Sequence, residues 1–251
     1  MIDTRVITLL TMRNGRLVKS INFKNHKYIG DPINSVKIFN DKKCDEICLL
    51  DISHNELNIN YEILKKISKE SFLPISYGGN IRDIKDAKKL INIGFEKLCF
   101  GFGSYNKILF NEISKEIGRQ SITLIIDLKK NHLNEYIIHT KNGKYDTNLK
   151  FTEFLNQISD FEIGQLVIQS IDNDGLRTGF DLNILKIMCN FKLDIPIIIC
   201  GGITFDKTIL NILNLYKPIN LMISSDFIYF KNSFSVLLNY PINKNKILNE
   251  S

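Results

Sequence analysis

The chain has no uninterrupted apolar run of about 18 residues, which excludes an ordinary membrane-spanning helix. Asp3 and Arg5 precede a short apolar segment, so the start reads as neither the apolar core nor the cleavage site of a secretory leader. Cysteines are few and odd in number: Cys44, Cys48, Cys99, Cys189 and Cys200. Three of them (Cys48, Cys99, Cys200) lie in apolar runs, and all five are expected as reduced thiols in a cytoplasmic protein. There is no C-x-x-C pair and no Cys/His cluster, and the strand expected from Glu46 separates the directions of Cys44 and Cys48, so no metal site is expected. Gly101-Phe102-Gly103 lacks the rest of a dinucleotide fingerprint, and no cofactor is expected. The net charge of +6 comes from scattered lysines and not from a basic stripe with aromatics, which argues against nucleic acid. It suits a small anionic ligand.

What the chain does have is an internal echo. Val6-Ile7-Thr8-Leu9-Leu10-Thr11-Met12-Arg13-Asn14 reads against Ile122-Thr123-Leu124-Ile125-Ile126-Asp127-Leu128-Lys129-Lys130, about half the chain away. Pro74-Ile75-Ser76-Tyr77-Gly78-Gly79-Asn80-Ile81 likewise reads against Pro196-Ile197-Ile198-Ile199-Cys200-Gly201-Gly202-Ile203. Eight strand-like apolar runs are expected at 5–11, 46–51, 75–78, 97–100, 123–127, 165–170, 197–200 and 220–224. Helical patterns alternate with them at 61–71, 83–93, 105–117, 149–159, 181–190, 206–215 and 233–239. Continuous apolar strands fit a parallel sheet buried on both faces. The repeat and the length of 251 residues then point to one domain, residues 1–251, folded as an α/β (β/α)8 TIM barrel of two half-barrels. Asp83, Asp181 and Asp206 read as helix N-caps or first-turn acids. Residues 12–29 are expected as a long loop, 132–148 as a hairpin turning at Lys141-Asn142-Gly143-Lys144, and the tail from Pro241 as frayed.

In such barrels the active site forms where the strands end. Gly78-Gly79-Asn80, Asp174-Gly175, Gly201-Gly202 and Ser224-Ser225 fall at those ends. Glycine turns there either cradle anions with backbone N–H groups or simply make tight strand-to-helix turns. Two pairs at half-chain spacing favour two facing phosphate sites. Asp51 and Asp127 end strands, and Asp172 and Asp174 follow one. Asp127, closing an apolar run, is the candidate proton donor or acceptor, whereas at least one of Asp172 and Asp174 reads as a cap. Lys19, a candidate catalytic residue, lies in the first loop, which could close over a substrate, although on spacing alone it is an ordinary solvated lysine. Arg5, Glu46 and Lys97 start strands and would meet at the barrel floor, as a salt-bridged ring or as one that also gates a passage.

Together these residues resemble the cyclase subunit of imidazole glycerol phosphate synthase, among the histidine-biosynthesis barrels. The resemblance covers nearly the whole chain. It rests on Asn14-Gly15-Arg16-Leu17-Val18-Lys19, Gly30-Asp31-Pro32, Asp45-Glu46 with Leu49-Leu50-Asp51-Ile52, and Ser170-Ile171-Asp172-Asn173-Asp174-Gly175 with Gly179-Phe180-Asp181. It implies a substrate with a phosphate at each end and ammonia supplied by a separate glutaminase under the floor. The ammonia passes through the barrel to the mouth, where attack, ring closure and lyase cleavage follow. This chain has no glutaminase nucleophile of its own. Of the family's two catalytic aspartates, one matches Asp127, and the other is replaced by Thr11, which cannot exchange a proton near neutral pH. Lys19, Asn22, Asp51, Asp174, Gly175, Gly202 and Ser225 match. Asn80 stands for a third glycine, Gly101-Phe102 for an Asn-Thr pair, Gln169 for a threonine, and Gln165 for the floor's fourth, acidic member.

These departures resemble a divergent branch of the family, through Thr8-Leu9-Leu10-Thr11 and the stretch Asn22-Phe23-Lys24-Asn25-His26-Lys27-Tyr28-Ile29-Gly30-Asp31-Pro32. Members of that branch partner a glutaminase and a sugar-amidating enzyme in surface-polysaccharide synthesis, where a nucleotide-sugar derivative gains an amidino group. Three readings stand at this point. The barrel takes ammonia from a glutaminase in an amidation pathway, or it is the histidine-pathway cyclase with an altered mechanism, or it is a non-catalytic scaffold that activates its glutaminase.

Overall fold

A computed structural model of the chain describes residues 4–41, 44–53, 58–203 and 219–224. The helices expected at 206–215 and 233–239, the tail and Ser225 lie outside the described residues. The chain runs through β1 (Val6–Arg13), β2 (Arg16–Ile21), β3 (Lys24–Gly30), α1 (Pro32–Asp41), β4 (Glu46–Asp51), α2 (Tyr61–Glu70), β5 (Ile75–Gly78), α3 (Ile84–Ile93), β6 (Lys97–Gly101) and α4 (Lys107–Ile117). It continues through β7 (Ile122–Lys130), β8 (Tyr136–Thr140), β9 (Tyr145–Lys150), α5 (Phe151–Asn156), β10 (Gln165–Ser170), α6 (Leu182–Met188), β11 (Ile197–Cys200) and β12 (Ile219–Ser224).

Eight of these strands pair in parallel in the order β1, β4, β5, β6, β7, β10, β11, β12, and β12 returns to β1. The sheet therefore closes, with helices between strands, as a (β/α)8 TIM barrel. Side-chain alternation along each strand makes two cores. Outward-facing residues such as Leu10, Leu49, Leu124 and Ile168 pack against the helices. Inward-facing ones, among them Ile7, Leu9, Cys48, Cys99, Ile125 and Val167, fill the barrel interior. The helices have start signals written in the sequence: Asp83 Oδ1 accepts from Asp86 N–H at 2.8 Å ahead of α3, and Asp181 Oδ1 from Asn183 N–H at 3.0 Å ahead of α6. All five cysteines are free.

The stretch 12–29, expected as a loop, is instead an antiparallel hairpin. β1 overruns the barrel to Arg13, pairs with Arg16 across Asn14-Gly15, and β2 pairs with β3 across Asn22-Phe23. Both turns use left-handed backbone, at φ 51° and 73° in the first and 50° and 60° in the second, as tight hairpin turns demand. The Asn14-Gly15 dipeptide was the available signal. It was masked because β3 is mostly exposed and shows no apolar alternation. The second hairpin, β8–β9, turns at Lys141-Asn142-Gly143-Lys144 as expected and extends β7 in the same way. The half-barrel echo thus reaches beyond the barrel strands, since each half's first strand overruns the rim into a hairpin. Strand β9 runs to Lys150 and shortens the helix expected at 149–159 to Phe151–Asn156.

Candidate functional site

At the floor, Glu46 is buried and forms the hub. Its Oε2 accepts from Lys97 Nζ and from Arg5 Nη1, the latter at 3.3 Å. Arg5 Nη2 donates to Gln165 Oε1 at 3.3 Å, and Gln165 Nε2 donates to Thr123 Oγ1 at 2.7 Å. Arg5 N–H is also held by Asn220 Oδ1 at 3.0 Å. Charges at strand starts therefore do meet in one network. Thr123 and Asn220 complete it and carried no sequence signal, because neutral side chains in apolar strands read as core. Above the floor the lumen is apolar, with Cys48 Sγ 3.8 Å from Cys99 Sγ.

The opposite end opens into a cavity of about 890 Å³. Thr11, Asp51, Asp127, Gln169, Asp174 and Ser224 line it. Lys19 and the turn residues Gly79, Asn80, Gly101, Gly175, Gly201 and Gly202 line it as well. Burial, and secondarily the charge of Asp174, push the Asp127 carboxyl up to about 7. That value suits a group that donates or accepts a proton at neutral pH. Asp51 is tied down, its Oδ1 accepting from Ser53 N–H at 2.9 Å and from Ser53 Oγ at 2.5 Å. Asp172 caps Lys130 N–H at 2.9 Å, so of the two carboxylates after β10 it is the structural one.

The β2–β3 hairpin folds over this mouth. Asn22 Nδ2 donates to the carbonyls of Ile171 and Asp172 at 2.8 Å each, and Asn22 N–H to that of Asp174 at 3.0 Å. Asn22, expected as a ligand contact, makes its hydrogen bonds to these carbonyls. Its amide is spent pinning the hairpin to the loop after β10, and it does not line the cavity. Ser20 Oγ donates to Asp174 Oδ2 at 3.2 Å. Gly175 allows this closure: at φ 72°, a Cβ there would sit 2.3 Å from the Ser20 carbonyl oxygen. Gly202, at φ 75°, is crowded by the Gly179 carbonyl oxygen, 2.5 Å from where its Cβ would be. Asn80 has φ 51°, a left-handed conformation that asparagine tolerates better than most residues, so a side chain sits where the resemblance leads one to expect glycine. Phe102 lines the cavity and stacks edge-on to Phe154, with ring centroids 5.7 Å apart.

His139 carried no sequence expectation. It sits opposite Asp127 in the β7–β8 register and lines the cavity, and its buried Nδ1 has no hydrogen-bond partner. Phe72 is likewise new. It precedes β5 on the floor side and is 87% exposed. Among the described residues there is no cluster of His, Cys, Asp and Glu able to hold a metal, and no helix long and apolar enough to cross a membrane.

Residues 5–232 match the model of the histidine biosynthesis protein family. The chain belongs to that family. Among its relatives, a protein of Vibrio vulnificus provisionally named imidazole glycerol phosphate synthase subunit hisF3 is 33% identical over 247 residues, 96% of this chain and 94% of its own. The hisF2 subunit of Pseudomonas aeruginosa, also provisionally named, is 32% identical over 97% of this chain and 98% of its own. The imidazole glycerol phosphate synthase subunit HisF of Alkaliphilus metalliredigens is 32% identical over 80% of this chain and 81% of its own. Within this family setting, the described site combines one carboxyl poised near neutrality, a facing threonine, and a hairpin closed over the mouth.

Proposed function

We propose that this barrel is the ammonia-accepting subunit of a glutamine amidotransferase complex, and that it serves sugar amidation in surface-glycan synthesis. A partner glutaminase docks at the floor, and ammonia passes the Arg5–Glu46–Lys97–Gln165 ring and the apolar lumen. It meets a phosphorylated substrate at the mouth, between the Gly79-Asn80 turn with Gly101 at the end of β6 on one side and Gly201-Gly202 with Ser224 at the end of β12 on the other. The observation that carries the reading is the pairing of a fully assembled floor with Thr11 at the mouth. A hydroxyl there cannot serve as the second acid–base group of a two-carboxylate cyclase, and loss of such a group costs about a hundredfold to ten-thousandfold in rate. Relatives provisionally named hisF2 and hisF3 and an ordinary HisF subunit are equally similar to this chain, so the reading rests on the residues at the mouth and not on the degree of identity.

The test is copurification from the native host, followed by ammonia- and glutamine-dependent assays with the histidine-pathway intermediate. The reading expects a glutaminase in the complex and little or no imidazole glycerol phosphate. Turnover of that intermediate with ammonia at ordinary rates overturns it. One observation favours a second reading, the histidine-pathway cyclase. Asp127 ionises near neutrality and could work with water or Asp51, and growth rescue of a histidine auxotroph would establish this alternative. Full pathway output from D127N in an intact complex would instead favour a non-catalytic scaffold.

A further inference from the structure

The two hairpins bring basic side chains into the cavity beyond the strand-end glycines. Arg13 ends β1 two residues past Thr11, on the same strand face, and lines the cavity. His26 on β3 and Lys144 in the β8–β9 turn line it too, as do Lys24 and Lys141. The hairpins meet where Gly143 sits against the Phe23 ring, close enough that an added Cβ would lie 3.1 Å from Phe23 Cδ2. Burial, then the charges of Arg13 and Lys144, hold His26 below its usual value, so the positive field comes from Arg13 and Lys144 and reaches a neutral imidazole that can still donate a hydrogen bond. Among the described residues no carboxylate pairs with Arg13, His26 or Lys144. Like charges facing each other under touching hairpins repel, and an anion between them turns that repulsion into attraction.

A second, independent observation points the same way. On the hairpin that carries Lys144, but nearer the barrel and opposite Asp127, the His139 side chain is only 11% exposed and its Nδ1 lacks any partner. Buried polar atoms are satisfied as a rule, and His139, whose Nε2 lies 4.0 Å from Asp146 Oδ2, leaves its Nδ1 unsatisfied in a residue that lines the cavity. A ligand running from Asp127 toward the hairpins would supply the missing partner.

We propose that Arg13, His26 and Lys144 form a third anion subsite, roofed by the paired hairpins and separate from the glycine turns at the strand ends. It takes a phosphate-type group, so the ligand of this barrel carries negative charge at a point where a substrate with only two terminal phosphates has none. The inference deepens the proposed function and rests on the mouth being the substrate site.

The test titrates inorganic phosphate and inorganic pyrophosphate separately into the full-length chain, followed by ¹⁵N–¹H NMR. Saturable shifts are expected at the amides of Phe23, His26 and Lys144, and R13Q/K144Q should weaken them at least tenfold while the responses of Gly79 and Gly202 keep their wild-type affinity. Markedly tighter binding of pyrophosphate identifies a diphosphate-bearing ligand, and equal binding a single phosphate group. Shifts confined to Gly79 and Gly202, or an unchanged affinity at the hairpins in the double variant, overturn the subsite. The thermal melt of each variant checks folding, and the exposed K144Q alone serves if the double variant does not fold. No glutaminase or ammonia enters this titration, so its failure and that of the ammonia-transfer reading are told apart.

Discussion

Replacing Asp127 by asparagine separates what this residue does for function from what it costs the fold. In the folded protein the carboxyl ionises near 7, against an ordinary value of 3.8. A carboxyl raised in this way contributes stability that is fully present below the unfolded value and is lost as pH rises through the folded one. At full effect the difference is worth about 4 kcal/mol, an upper figure because Asp127 keeps partial contact with water. Between about pH 5.5 and 8.5 the unfolded carboxyl is already ionised while the folded one loses its proton, which removes about 2 kcal/mol from the wild type. The carboxamide of the variant has no proton to lose in that range. D127N should therefore gain on the wild type by about 2 kcal/mol across it, or roughly 4–8 °C in melting temperature for a chain of this size. Paired thermal melts at the two pH values measure it, and titrating groups that do not interact with Asp127 cancel in the comparison. Turnover of any substrate should fall at both. A stability difference that does not change with pH, or a D127N melt that falls further behind as pH rises, would refute a carboxyl held near neutrality by burial.

Other substitutions test the remaining parts. E46Q leaves Lys97 and Arg5 without their shared counter-charge, and loss of the anionic partner from a buried ion pair should destabilise the chain by about 3 kcal/mol in urea titrations. G175A puts a methyl against the Ser20 carbonyl, so it should lift the β2–β3 hairpin, seen as faster amide exchange at Asn22, with the barrel strands unchanged. T11D restores a facing carboxylate but should yield little cyclase activity with the histidine-pathway intermediate, because Asn80 and Phe102 also occupy the mouth; recovery to ordinary rates would show that one residue separates the two chemistries. F72D should weaken glutaminase retention in pull-downs at least tenfold if this exposed ring is a docking anchor at the floor.

The barrel was legible because its eight parallel strands are buried on both faces and so appear as unbroken apolar runs, from Val6 through Ile223. The floor hub was legible because Arg5, Glu46 and Lys97 are charges set at strand starts, where apolar neighbours make them conspicuous. Its neutral members, Thr123 and Asn220, were invisible for the converse reason. Hairpin β2–β3 was missed because its pairing lies above the rim, with one face in water, so apolar periodicity had nothing to report. Asn22 was read as a ligand contact on resemblance, and no local pattern announced its bonds to the carbonyls of Ile171 and Asp172, 149 and 150 residues away. His139 follows the buried Ile137-Ile138 pair, and no local pattern ties it to Asp127. The antiparallel β7–β8 register, set across the turn after Lys130, does so.

The most direct test of the account supplies the copurified complex with [amide-¹⁵N]glutamine, an extract of its native host and an excess of unlabelled ammonium. Nitrogen that crosses from floor to mouth inside the barrel should appear in an acidic, amidated product with its label undiluted, and E46Q should lower that enrichment. Label diluted to the level of the bulk ammonium pool, or found only in imidazole glycerol phosphate, would contradict it.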